Sequence, residues 1–280
     1  MIAQKNRDAL RLTSIINAVA RGYGNLTLQY RIISALAERE LLIRSIKGKL
    51  GAIGVLAEPL VLVVTLLALR ILIRLKTMEL LNPVIWMVTG VTFFYLFSAV
   101  GMKAMSGVKK SQDVFFYRRI RPLDTLLATA LVESRIYGTT LILVILGVFI
   151  WTWQLKFDDP GLAVVAFILA VMLALGIGVS ALVIGHRIPL VKLLVRFGIR
   201  RLLLWTSGVF YATYMLPGPA RPFVTWNPLL HAVELFRHSI SQVYPIPGIS
   251  LSYLAFCAFI SCGLGLLFYS TNENLLLDDD

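Results

Sequence analysis

The 280-residue chain is 58% hydrophobic and only 15% charged, with a mean hydropathy of +0.80 and a formal net charge of +12. A soluble domain carries about a quarter charged residues, so this composition excludes an ordinary soluble globular protein. In so apolar a chain, excess Lys and Arg points to side chains held on the cytoplasmic side of a membrane rather than to nucleic acid.

Residues 1–30, including "MIAQKNRDALRLTSIINAVARGYGN", lack the apolar core of a signal peptide. They read as a cytoplasmic segment, with insertion expected without cleavage. Residues 31–50, "RIISALAERELLIRSIKGKL", place Ile32, Leu36, Ile43, Ile46 and Leu50 on one helical stripe, and Arg39 intrudes on it. This predicts an amphipathic helix along the cytoplasmic interface, with a soluble amphipathic helix as the alternative. Residues 51–272 read as the membrane domain. A crossing helix needs about 20 mostly apolar residues. Leu50–Leu69 qualifies with Glu58 as its one charge, and Leu80–Met102 qualifies with none.

Next comes "VFFYRRIRPLDTLLA", Val114–Ala128. A short amphipathic helix after Gly107 would end at Pro122, and Asp124 would cap the following span. Arg and aromatic side chains are the usual anchors of protein interfaces, so this loop reads as a docking knob or as a positive-inside loop touching anionic lipid. The third span overlaps Thr125–Trp153 and carries Glu133 and Arg135. Charges at such depth mark a pathway, a gate or a structural pairing with another helix or subunit. Asp158-Asp159 reads as a turn with a helix cap before the fourth span, Pro160–Gly185. A basic loop, Gly185–Arg201, then precedes a fifth span over about Leu194–Leu216.

Leu216–Gly248 holds six prolines, which forbid one continuous crossing helix. Pro228 can start a short helix through Leu229, Leu230, Val233 and Leu235, and Glu234 and Arg237 at i,i+3 can pair on it. Short re-entrant half-helices fit this stretch. The sixth span is Ile249–Tyr269, and residues 273–280 are an acidic cytoplasmic tail. The expectation is an all-α membrane protein with six transmembrane helices. The expected inner loops hold 20 Lys and Arg and the outer loops 6, which places both termini in the cytoplasm.

The chain has no G-x-x-x-x-G-K-[ST] phosphate cradle, no H-E-x-x-H, no G-x-S-x-G and no paired carboxylates at catalytic spacing. Cys257 and Cys262 read as small core residues, and His186, His231 and His238 are scattered. No catalytic, cofactor or metal residues are therefore expected, and a membrane path or binding surface is the better reading. Sugar C–H faces pack on rings, so Phe93, Phe94, Tyr95 and Phe97, with Trp205, Phe210, Tyr211 and Tyr214, are candidates for a polysaccharide path. The alternative for the same rings is a lipid belt.

Three segments carry a resemblance. "FFYRRIRPLDTLLATALVES", "ERELLIRSIKGKLGAIGVLAEPL" and "WNPLLHAVELFRHSI" resemble, in order and position, motifs of the inner-membrane permeases of ABC-type exporters of group 2-type capsular polysaccharide. The likeness covers about residues 35–275. "YRRIRP" is more basic than the family pattern, and residues 1–30 exceed its expected length. The resemblance implies a dimer of this chain with two ATP-binding subunits, so that ATP and Mg are bound by the partner. It implies a coupling helix contacting that partner through Phe115, Phe116, Tyr117, Arg118, Arg119 and Arg121, with Asp124 at its end and Arg39, Glu40 and Arg44 bracing the junction. The Gly185–Arg201 loop would be a weaker second contact. The re-entrant segment would include Trp226, Asn227, Pro228, His231, Glu234 and Arg237. Further implied partners are a periplasmic co-polymerase-type protein, an outer-membrane polysaccharide exporter, the polysaccharide itself and membrane lipid, in the bacterial inner membrane. Other readings are a permease for O-antigen, teichoic acid or a drug, a membrane-embedded glycan or lipid enzyme, and a passive channel.

Overall fold

The computed structural model describes residues 27–46, 81–110, 121–153 and 157–272, together with Val61, Val64, Thr65 and Ala68. Every regular element among the described residues is helical. Helix α1 covers residues 27–46, α2 Pro83–Lys110, α3 Pro122–Thr152 and α4 Pro160–Arg187. A short α5, Pro189–Leu193, runs through a π-helical stretch, Leu194–Ile199, into α6, Arg200–Thr206. Helices α7, Pro222–Thr225, and α8, Pro228–Ile240, precede α9, Leu251–Thr271.

Four helices are long and apolar enough to cross a membrane: Pro83–Ser106, Pro122–Thr152, Pro160–Arg187 and Leu251–Thr271. The expected first span, with Glu58, lies almost wholly outside the described residues, as do the tail and most of residues 1–30.

Proline and cap chemistry set the helix starts. Pro83, Pro122, Pro160, Pro189, Pro222 and Pro228 each open a helix, where the missing N–H leaves no bond unmade. Asp159 caps α4 as expected, its Oδ1 accepting the Leu162 N–H at 2.9 Å. Asp124 acts one turn later than expected, from inside α3, where its Oδ2 accepts the Arg121 N–H at 3.0 Å.

Pairings between helix ends give the topology. Tyr269 at the end of α9 accepts the Leu123 N–H at the start of α3, and Arg187 at the end of α4 bonds Asn272 beyond α9. The start of α4 is tied to the end of α8, since Asp159 N–H donates to the Ser239 carbonyl. The bundle therefore has an Asp124 end and an Asp159 end. Helix α2 is central between α3 and α4, α9 packs on the far side of α4, and α8 is inserted among α2, α4 and α9.

Small residues permit the closest of these crossings. A Cβ on Gly176 of α4 would stand 2.3 Å from the Ser261 carbonyl carbon of α9, and one on Gly178 would stand 2.6 Å from the Gly101 oxygen of α2. Where hydrocarbon surrounds a bundle, such backbone proximity supplies the van der Waals contact that holds helices together.

Two expectations change. The fifth span is expected over about Leu194–Leu216, whereas the helix runs from Pro189 to Thr206 and includes Lys192, Arg196, Arg200 and Arg201. No proline interrupts that stretch, so local propensity keeps it helical despite the charge. It stops where Gly208 adopts φ 72°, a left-handed turn in which a Cβ would meet Leu230 Cδ1 at 2.7 Å. The basic Gly185–Arg201 stretch is accordingly helix-borne rather than a loop.

The second change concerns α1. Its packed stripe is Ile33, Leu36, Ala37 and Leu41, against Ala128, Val132 and Ile136 of α3, and Ile46 is 81% exposed. Sequence periodicity placed the stripe one residue out of phase at Ile32 and Ile43. Gln29 meets Asp124 and Arg44 meets Glu133. Fifteen residues of α1, about 22 Å, thus follow nine residues of α3, about 14 Å. The helix climbs obliquely along α3.

Candidate functional site

At the Asp124 end, one carboxylate gathers three helices. Glu133 of α3 is 2% exposed, and its Oε1 accepts from Arg44 Nη1 of α1 at 2.6 Å and from Lys103 Nζ of α2 at 2.7 Å. Glu40, one turn before Arg44, accepts from the same guanidinium at 2.8 Å. Burial lowers the Arg44 pKa, but Glu133 and Glu40 outweigh it and hold the guanidinium above its ordinary value. Glu133 thus pairs with two other helices. Arg135, two residues on, is exposed, as is Arg39.

The expected docking knob lies largely outside the described residues: Phe115, Phe116, Tyr117, Arg118 and Arg119 fall there. Arg121 is exposed at the head of α3, and Asp124 is buried, accepting also from Gln29 Nε2 at 3.2 Å. Glu40, Arg44, Lys103, Asp124 and Glu133 thus come together along the first turns of α3.

At the Asp159 end, α8 is the most enclosed helix in the bundle. Asn227 caps it, accepting the Leu229 N–H at 2.9 Å, and donates from Nδ2 to Thr206 Oγ1 at 2.9 Å. Glu234 and Arg237 are both fully buried and pair at 2.9 Å, as their spacing predicts. Arg237 also donates to Thr89 Oγ1 at 3.2 Å and to the Trp86 carbonyl at 2.8 Å, with its guanidinium 4.2 Å from the Trp86 ring centre. Glu234 accepts from Thr213 at 3.0 Å and from Tyr244 at 3.3 Å, and the Tyr244 hydroxyl accepts from Trp86 Nε1. Burial pushes the Glu234 carboxyl above its ordinary range, and Arg237 with the two hydroxyls offsets only part of that rise. A charge in such surroundings persists only when paired and hydrogen-bonded, and both partners here are. Gly90 makes room for it: a Cβ there would stand 2.6 Å from Arg237 Nη2.

His231, on the first turn of α8, joins it to α9. Its Nδ1 accepts the Ser250 N–H at 2.9 Å, which leaves Nε2–H to donate to the Thr225 carbonyl at 2.8 Å. That is the neutral ring, and burial lowers its pKa. Tyr253 lies against it, 4.8 Å between ring centres, and donates to the Trp226 carbonyl at 2.6 Å.

The aromatic candidates divide. Phe93, Phe94 and Phe97 are buried core residues, Phe93 packing on Phe167 and Phe236, and Tyr95 is half-buried beside Phe94. Their capacity to stack on sugar faces made these rings candidates, but ring chemistry does not distinguish a lumen from a helix interface. Trp205 and Phe210 are exposed and lie 5.4 Å apart. Tyr211 and Tyr214 are half-buried, Tyr214 edge-on to Tyr244. Sequence reasoning missed Lys103, Thr89, Thr213, Trp86 and Tyr244. Only the cost of an unpaired buried charge hinted that such partners exist.

No family model matches the sequence. Curated relatives do. The chain is 28% identical over 245 residues to the polysialic acid transport protein KpsM of Escherichia coli, covering 88% of this chain and 95% of that protein. It is 28% identical over 216 residues to the capsule polysaccharide export inner-membrane protein CtrC of Neisseria meningitidis serogroup A, and 25% over 219 residues to BexB of Haemophilus influenzae, a protein of the same description. Each of the latter covers 76% of this chain and 80% of the relative. Capsule polysaccharide export inner-membrane proteins are thus homologues of the chain over most of its length, as its motifs led us to expect.

Proposed function

We propose that this chain is the membrane permease subunit of an ATP-driven exporter that carries an acidic capsular polysaccharide from the cytoplasm across the bacterial inner membrane. The observation that carries the reading is the homology to KpsM along nearly the whole of both chains. That match extends over 245 residues, far more than any one motif. ATP hydrolysis falls to two partner subunits, which bind ATP and Mg, and two copies of this chain form the path between them. The chain itself is not an enzyme.

In this reading the Asp124 end faces the cytoplasm. Phe115, Phe116, Tyr117, Arg118, Arg119 and Arg121 dock the ATP-binding partner, and the junction at Glu133 ties α1 and α2 to the head of α3. Any movement the partner imparts to the head of α3 then reaches both helices through two short charged contacts. The Asp159 end faces outward, and α8 with its locked Glu234–Arg237 pair is the rigid re-entrant wall of the exit. A buried, fully bonded ion pair favours one packing of a segment over its alternatives, which suits a wall that must not collapse behind a moving polymer.

The test is deletion of the gene, with the polymer located by cell fractionation and immunogold labelling. Polymer accumulating in the cytoplasm under a bare surface is the expected result, and a normal surface coat would refute export of capsule. Charge reversal at Arg118 and Arg119 together tests the docking role: export should stop while the chain still inserts, and unchanged export would remove that role.

A further inference from the structure

The helix after α4 carries cations at a depth where the chain should have none. Between Pro189 and Thr206 only Leu203 is buried among residues whose side chains are described, and Phe197, Arg201 and Trp205 recur every four residues along one of the exposed faces, with the two most exposed rings of this helix at the ends of that stripe. Contacts fix the depth of this stripe. Thr206 is bonded to Asn227, and Gly208 and Val209 abut Gly90, which lies seven residues into α2. Gly90 is therefore about 10 Å from the Pro83 end, and Arg201, seven residues before Gly208, is about 10 Å deeper again. That is the level of Phe97, midway along the apolar span Pro83–Ser106.

Hydrocarbon does not hold an exposed guanidinium at this depth, so the stripe faces water or a charged ligand. None of the ion pairs among the described residues involves Arg201. The neighbours of Arg201 are also telling. Phe197 and Trp205 are 64% and 63% exposed, and Phe210 extends the Trp205 ring at 5.4 Å. Phe197 sits in the π-helical stretch Leu194–Ile199, a distortion that clusters at functional sites. Ring, guanidinium and ring span about 12 Å of helix axis, room for more than one pyranose. Ring faces pack on sugar C–H surfaces, and a guanidinium takes a carboxylate through two parallel N–H donors.

We propose that Phe197, Arg201 and Trp205 form a track that binds the acidic sugar units of the polymer in transit, with Arg201 pairing to the carboxylate and the two rings stacking on the sugars. The proposal rests on the export reading above and names the substrate chemistry of its path.

The test places a photo-crosslinking amino acid at Phe197 or at Leu202 in the full exporter, in cells fed a radiolabelled sugar precursor of the polymer. Arg201→Gln and Arg201→Lys are compared with the unmodified chain for labelled polymer on the cell surface, at equal amounts of membrane-inserted protein. We expect a polymer adduct at position 197 and less than a tenth as much at 202, which lies a quarter-turn off the stripe. We expect surface polymer to fall at least tenfold in Arg201→Gln and to fall less in Arg201→Lys, since a lysine keeps the charge while losing the fork. Adducts to phospholipid alone, adducts only to a second copy of the chain, or wild-type export by Arg201→Gln would each overturn the track while leaving the export reading intact. Normal export from cells lacking the gene overturns the export reading, and the track with it.

Discussion

Replacing Arg237 by Met removes the centre of the outer network and nearly conserves side-chain volume. The substitution deletes the 2.9 Å pair to Glu234, the donors to Thr89 and the Trp86 carbonyl, and the stacking 4.2 Å from the Trp86 ring. Glu234 keeps Thr213 and Tyr244 as donors, but no cation remains beside a fully buried carboxyl. Breaking a buried pair from one side costs about 3–5 kcal/mol, because a charge is left uncompensated. At about 2–4 °C per kcal/mol for a chain of this size, the midpoint of thermal unfolding should fall by at least about 6 °C. The assay is loss of the monodisperse peak in detergent, followed by size-exclusion chromatography after heating. Arg237→Met with Glu234→Met together should recover most of the loss, since both charges then leave the interior. A single variant melting within 2 °C of the parent, or a double variant as unstable as the summed singles, would refute the reading of this pair as a mutually compensated buried charge.

Other consequences follow from the same geometry. Glu133→Gln should loosen α1 from α3, read as maleimide labelling of Ala37→Cys rising severalfold, because Ala37 is fully buried in the parent. Gly176→Val should abolish accumulation of folded protein, given backbone atoms of α9 within 2.5 Å of its Cβ position, whereas Gly147→Ala, with nothing within 4 Å, should accumulate normally by immunoblot. His231 has a lowered folded pKa, so its unfolded state binds the proton more readily. Stability is thus complete above the ordinary pKa of about 6.5 and declines as pH falls below it, by at most about 1.4 kcal/mol per pH unit. The midpoint of unfolding measured from pH 7.5 to 5 should show that decline, and His231→Gln should flatten it.

The sequence by itself determined what each segment is. Long uncharged runs gave α2 and α4, proline positions gave helix starts, and Asp159 announced its cap, because these features depend on atoms within one or two turns. The i,i+3 spacing of Glu234 and Arg237 was equally local, and their bond follows from helix geometry. Only the tertiary structure decided what each segment meets. Glu133 finds Arg44 from 89 residues away, and Arg237 finds Trp86 from 151, distances at which a single sequence carries no pairing signal. The stripe on α1 was misplaced by one residue because several apolar residues surround that helix, and the face that packs on α3 centres on the small, fully buried Ala37. The fifth helix was misplaced for a related reason. Hydropathy treats arginine as an exile from the membrane, while the fold carries Arg196, Arg200 and Arg201 on one continuous helix from Pro189 to Thr206, because local propensity and the absence of an interrupting proline decide the helix.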